Sequence, residues 1–149
     1  MNGVFAREFE RLGSAIEIGV ASDTVISVSF PEAPAEDAAT DHPLFDRIGA
    51  YLDGADDHFD DVEIGLTVPT DRRRVLEATR NVPHGETVSL DRVARMAGLD
   101  PDDGADLETA RAALAENPIP LFVPDHRVSD APGGTPTAVA ERLRAVEAG

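Results

Sequence analysis

The chain reads as an α+β protein, and three observations predict it. Apolar residues alternate at period two through much of the first 68 positions. From Thr70 onward they recur at helical spacing. Between the last two helical stretches runs a proline-punctuated apolar segment, Asn117-Pro118-Ile119-Pro120-Leu121-Phe122-Val123-Pro124-Asp125-His126-Arg127-Val128. Period two marks half-buried strands and period 3.6 marks amphipathic helices. The expected organisation is a small sheet-and-helix lobe over residues 1–68 followed by a helical domain over residues 69–149.

Each element follows from its own signal. Phe5, Phe9 and Leu12 stand at helical spacing and predict a short packing helix within residues 1–13. Ile16, Ile18 and Val20, then Ile26, Val28 and Phe30 beyond Ala21-Ser22-Asp23, predict a β-hairpin. Residues 31–40 are a loop by composition. Thr40-Asp41-His42-Pro43 opens a helix with a capping side chain and a proline in the first turn. Leu44, Phe45, Ile48, Tyr51 and Leu52 form its apolar stripe, and Gly54 stops it. Val62, Ile64, Leu66 and Val68 predict a third alternating strand, ended by Pro69.

The second half is helical. A helix runs from Thr70 to Arg80 with Val75, Leu76 and Thr79 inward, and residues 82–88 turn. Ser89 caps a helix that buries Leu90, Val93, Ala94 and Ala97 and ends at Gly98. Leu107, Ala110, Ala113 and Leu114 mark another, running to Glu116. Helix, connection, helix is the skeleton of a helix-turn-helix. A last helix begins at Thr135-Pro136 and buries Val139, Leu143 and Val146.

Composition narrows the function. The 149 residues suffice for a real core. No run is long enough to span a bilayer and no signal-peptide pattern is present, so a cytoplasmic protein without membrane contact is expected. The net charge is −16, all 13 basic residues are arginine, and Asp outnumbers Glu by 17 to 12. Such a surface stays hydrated at high salt, which reads as a halophile's adaptation. In molar salt the Debye length is only ~3 Å. Global acidity therefore argues weakly against nucleic acid, and the local charges of a binding face decide more. Arg72-Arg73-Arg74 is the only basic run, open to phosphate contact or to a solvated helix face. His42 and His58 sit among acids, as solvated loop histidines or metal ligands. No cofactor or metal is expected.

The proline-rich run delivers a carboxylate, an imidazole and a guanidinium in a row. Proline fixes φ and removes donors, so the run is expected to be a rigid buried crossing that sets Asp125-His126-Arg127 on a cleft wall. An Asp–Arg ion pair with a core histidine is the structural alternative.

The segment resembles the active-site signature of the alkylguanine-DNA alkyltransferases, Pro-Cys-His-Arg-Val after an Asn-Pro. Val82-Pro83-His84-Gly85-Glu86-Thr87-Val88-Ser89 is similar to that family's Pro-Tyr-Gly-Glu-Thr-x-Ser turn, and Val93-Ala94-Arg95-Met96-Ala97-Gly98 to its Leu-Ala-x-x-Ala-Gly. The resemblance covers roughly residues 14–147. It implies a helical lobe of winged helix-turn-helix type, a monomer, and duplex DNA with alkylated guanine as partner. It also implies a base pocket of Asn117, Pro118, Asp125, His126 and Val128, with Glu147 orienting His126. Ser89, Arg95, Arg111 and Leu114 would face DNA.

The departures fall on working parts. Asp125 stands where the family has its nucleophilic cysteine, and the 149 residues contain no cysteine. Thiolate alkyl transfer is therefore excluded. The family's arginine finger falls on Glu108, its phosphate-rotating tyrosine on Leu90, and the loop Ser129-Asp130-Ala131-Pro132-Gly133-Gly134 is shorter than the family's lid. Several roles stay open to Asp125. It could be a covalent acceptor, part of a hydrolytic set with His126 and Glu147, a member of a static ion network, or an acceptor for a guanine edge. Three function classes follow. One is an inactive alkyltransferase-like sensor of alkylated guanine; the second is a scaffold that has left DNA and serves protein or small-ligand interaction; a hydrolase using Asp125 and His126 ranks behind both.

Overall fold

The computed structural model describes residues 2–149. Three strands, β1 (Gly3–Phe9), β2 (Ser14–Ala21) and β3 (Thr24–Ser29), form an antiparallel sheet in the order β1-β2-β3. Ser22 and Asp23 both adopt positive φ, at 50° and 65°. That is the two-residue turn whose twist matches the flanking strands, and it sets the expected hairpin.

The helix expected within residues 1–13 is instead β1. Phe5 and Phe9 are four apart, a spacing that keeps two residues on one face of a strand as well as of a helix. The choice is made by β2, which pairs with β1 from Gly3↔Val20 to Phe9↔Ser14. Leu12 lies beyond the strand, buried in the turn.

The expected third strand at residues 62–68 also fails to form. Among the described residues its one ladder contact is the Val25↔Ile64 bridge. On its other side, Arg80 Nη2 takes the Val62 carbonyl and Arg73 Nη2 takes that of Leu66. Val62 and Leu66 are buried, so the alternation reflects a buried face without a sheet behind it.

The helices are α1 (Leu44–Leu52), α2 (Thr70–Arg80), α3 (Leu90–Met96), α4 (Gly104–Ala115) and α5 (Thr137–Ala148). α1 buries the expected stripe. Neither Thr40 nor Asp41 caps it, however; His42 Nδ1 accepts from Leu44 N at 3.1 Å. Ser89 caps α3 as expected, its Oγ accepting from Arg92 N. α4 begins ahead of its apolar pattern because Asp103 Oδ1 takes the Ala105 and Asp106 amides. In α5, Val139 and Leu143 are buried and Val146 is partly so.

α2, α3 and α4 pack together as the helix-turn-helix body. Val88 pairs with the chain at Val128, through Val88 N→Arg127 O and Ser129 N→Val88 O. That bridge fastens the body to the proline-rich segment. The apolar core is one continuous cluster, running from Phe5 and Ile18 through Tyr51 and Phe122 to Leu143.

Candidate functional site

The proline-rich segment is buried from Ile119 to Val128. Its middle folds back on itself, with Val123 N donating to Ile119 O and Leu121 held at φ 77°. A left-handed leucine costs about 1–2 kcal/mol, so the surroundings must enforce it. Asn117 does so with its one amide. Nδ2 donates to Val123 O at 3.1 Å and to Asp125 Oδ2 at 2.8 Å, while Oδ1 accepts from Ile119 N at 3.0 Å. Only a side chain that both donates and accepts can clamp a loop this way. Asp125–Arg127 then form a single 3-10 turn, buried at all three positions.

Glu147, near the end of α5, gathers the charges. Arg127 grips it with two bonds, Nε to Oε1 and Nη2 to Oε2, both 2.9 Å. His126 Nε2 lies 2.7 Å from Oε2, the Tyr51 hydroxyl donates to the same oxygen, and Gly85 N donates to Oε1 at 3.4 Å. Burial acts to raise the Glu147 carboxyl, but hydrogen bonds from His126 and Arg127 outweigh it and hold the group well below the usual carboxylate range. Burial and the Glu147 charge together push the Tyr51 hydroxyl well above an ordinary phenol. Arg127 also donates to Val82 O. One carboxylate thus ties α1, the 82–88 turn, the 3-10 turn and α5 together.

Asp125, the neighbouring carboxylate, is treated differently. Its Oδ2 accepts from Asn117 Nδ2 and from Thr135 N at 3.3 Å. Both donors are neutral. Its Oδ1 is buried with no hydrogen-bond partner among the described residues. Burial raises its carboxyl, with hydrogen bonds from Thr135 and Asn117 and the nearby His126 offsetting only part of the rise. Gly133 packs so closely that a Cβ there would fall 2.3 Å from Asp125 Cγ. Only glycine fits above this carboxylate.

Asp125 also lines a cavity of about 400 Å³, together with His126, Val128, Thr135, Arg144 and residues of the 129–134 loop. That size lies within the range of small-ligand sites. Five buried side-chain polar atoms among the described residues lack a partner, and three belong to residues of this one wall: Asp125 Oδ1, His126 Nδ1 and Thr135 Oγ1. Buried polar groups are ordinarily paired, so this concentration is a cost the fold carries around Asp125. Arg144 donates to the His126 carbonyl at 3.0 Å from the same wall.

The structure thus brings together Asp125, His126, Val128 and, behind His126, Glu147. Asn117 and Pro118 do not line the cavity. Asn117 braces it from behind, and Pro118 uses its carbonyl on Val28 N. Leu114 is fully buried, which removes it from any DNA face, and Leu90 is also core. Glu108 is exposed and paired with Arg111 at 3.0 Å. Arg72 pairs with Glu116. Arg95 is exposed, and its guanidinium, like those of Arg92 and Arg74, makes no hydrogen bond or ion pair among the described residues. Sequence reasoning missed Tyr51, Thr135 and Arg144. Tyr51 was hidden in a plain apolar stripe, and nothing local marked the other two.

Comparison with known proteins agrees with this geometry. Residues 70–147 match the family model "6-O-methylguanine DNA methyltransferase, DNA binding domain". The methylated-DNA–protein-cysteine methyltransferase of Methanopyrus kandleri is 34% identical over 100 residues, 67% of this chain and 72% of that protein. A Thermus thermophilus protein named "DNA base-flipping protein" is 33% identical over 105 residues, covering 70% of this chain and 67% of that one. Against other relatives in the group the match spans about half of their length. The crystal structure of Mycobacterium tuberculosis OGT in complex with DNA superimposes with a TM-score of 0.73 at 23% identity, over 97% of this chain and 92% of that one, which shows the shared fold.

Proposed function

Because the chain belongs to the 6-O-methylguanine DNA methyltransferase family, yet carries aspartate where that family's signature has cysteine, we propose that it binds alkylated guanine in duplex DNA without removing the alkyl group. The observation that supports this best is the preserved pocket wall. His126, Glu147 and the Asn117 clamp are all in place, and Asp125, His126 and Thr135 line a cavity of about 400 Å³. A relative named for base flipping matches at 33% identity over 105 residues, beside 34% over 100 residues for a methyltransferase. Without a thiolate, a flipped base would be held and not dealkylated.

The DNA-facing side is assigned to α3 and the exposed part of α4. Arg92 and Arg95 on α3 are uncommitted cations on a protein of net charge −16. In a helix-turn-helix the first helix crosses the phosphate backbone. Arg95→Ala is expected to weaken binding equally for all duplexes and to lower the salt slope by about 1.

A second reading keeps the fold and discards DNA. Glu108 favours it, because a carboxylate exposed on the recognition helix is repelled by both phosphate strands. Binding in molar KCl to duplexes with and without O-methylated guanine separates the two. Tighter binding to the modified duplex supports the sensor. Equal and negligible binding to both ends it and leaves the scaffold for protein or small-ligand partners.

A further inference from the structure

Arg144 is a cation without an anion. Its guanidinium is half-buried on the wall of the cavity of about 400 Å³ and makes no ion pair among the described residues. One N–H donates to the His126 carbonyl at 3.0 Å, which fixes the head group. A guanidinium has five such donors, and the others have no acceptor among the described residues. The side of α5 that borders the cavity reads Thr137, Ala140, Arg144, spaced three and four apart and so on one helix face. A helical side chain leans towards its own N-terminus, so Arg144 runs back past the small Ala140 towards the first turn. There Pro136 has no amide hydrogen and no side chain caps the helix. The amides of Thr137, Ala138 and Val139 make no hydrogen bond among the described residues.

The acids around the cavity leave this charge unmatched. Asp125 borders it, but its unpaired oxygen is sealed beneath Gly133 and beside Thr135. Asp130, exposed at the rim, accepts from Leu90 N at 2.7 Å, and Glu147 is held by Arg127 and His126. Resting on the DNA-binding reading above, we propose that the Arg144 guanidinium, with the first turn of α5 beside it, holds one phosphate of the bound DNA strand at this cavity. Two phosphate oxygens match the two parallel N–H groups of a guanidinium fork. A helix start adds amide donors and a favourable dipole for the same group. In molar salt the Debye length is only ~3 Å, so direct contact decides which phosphates a chain of net charge −16 can hold.

The test is fluorescence anisotropy in molar KCl with a labelled duplex that carries O6-methylguanine. Around the modified base, one phosphate at a time is replaced by an uncharged methylphosphonate. One of these replacements should weaken wild-type binding about tenfold, the size of one hydrogen bond to a charged group, and leave Arg144→Ala unaffected. On the fully charged duplex, Arg144→Ala should show the same loss and a salt slope smaller by about 1. Arg144→Lys, which keeps the charge, should restore the slope. Arg142→Ala, whose side chain reaches the Arg11 carbonyl, should change neither quantity. Melting curves establish that each variant is folded. Replacements that weaken wild type and Arg144→Ala alike overturn the inference and leave the sensor reading standing. If no duplex binds, the sensor reading falls and the DNA phosphate with it. A melting midpoint then raised by inorganic phosphate in wild type and not in Arg144→Ala would assign the site to a free anion instead of DNA.

Discussion

Two buried carboxylates stand on either side of His126, and the chain spends its cations on only one. Glu147 holds two bonds from Arg127, one contact to His126, the Tyr51 hydroxyl and a backbone amide. Asp125 has two neutral donors, and its other oxygen is buried against Gly133 with no hydrogen-bond partner among the described residues. The first arrangement fits a load-sharing joint between four elements. The second is a carboxylate kept buried on neutral donors alone, at a cost to the fold. The difference separates a buried charge that the fold compensates from one that it does not.

Breaking the joint should have the largest effect. Glu147→Gln leaves Arg127 and His126 buried without their counter-charge, and loss of one partner of a buried pair costs about 3–5 kcal/mol. Urea denaturation should show the midpoint fall without a change in slope. Tyr51→Phe deletes one bond to that charged oxygen, with an expected loss of about 1.5–3 kcal/mol. A smaller loss for Glu147→Gln than for Tyr51→Phe would mean that Glu147 is not the centre described. Asp125→Asn should go the other way at neutral pH. It keeps an acceptor for Asn117 and removes an uncompensated buried charge, so its melting midpoint should rise.

Much of this was readable in the sequence, and the failures have physical reasons. The turn at Ser22-Asp23, the α1 stripe, the Ser89 cap and the Asp125-His126-Arg127 delivery all depend on neighbours within a few residues. β1 was misread because Phe5 and Phe9 satisfy both periods, and only a distant partner strand decides between them. Residues 62–68 were misread because alternation reports burial, while the two carbonyls a sheet would use are taken by Arg73 and Arg80. Leu114 was assigned outward by resemblance although its own spacing with Ala110 and Ala113 had placed it inward, and the spacing was right. The site itself was half legible. His126 and Glu147 were paired by analogy, whereas Tyr51 reaches Glu147 from 96 residues away, a contact no local pattern encodes.

The finest discrimination between the two carboxylates is the sign of their pH dependence. Glu147 titrates in the folded state well below its ordinary 4.5. Its contribution is present above that ordinary value and is lost as pH falls through the folded value. Asp125 is raised above its ordinary 3.8. In the window between 3.8 and its folded value the native state binds more protons than the unfolded chain, so stability falls as pH rises. Relative to wild type, Asp125→Asn should therefore gain its advantage progressively as pH rises through that window and lose it below pH 3.8. Glu147→Gln should show a deficit that also narrows in acid, but only at lower pH and with the opposite sign. Stability curves of the three proteins from pH 2.5 to 7, measured in constant molar salt, would show both differences; an Asp125→Asn advantage that persisted at the acid end would mean that packing beneath Gly133, and not charge, sets the cost of this side chain.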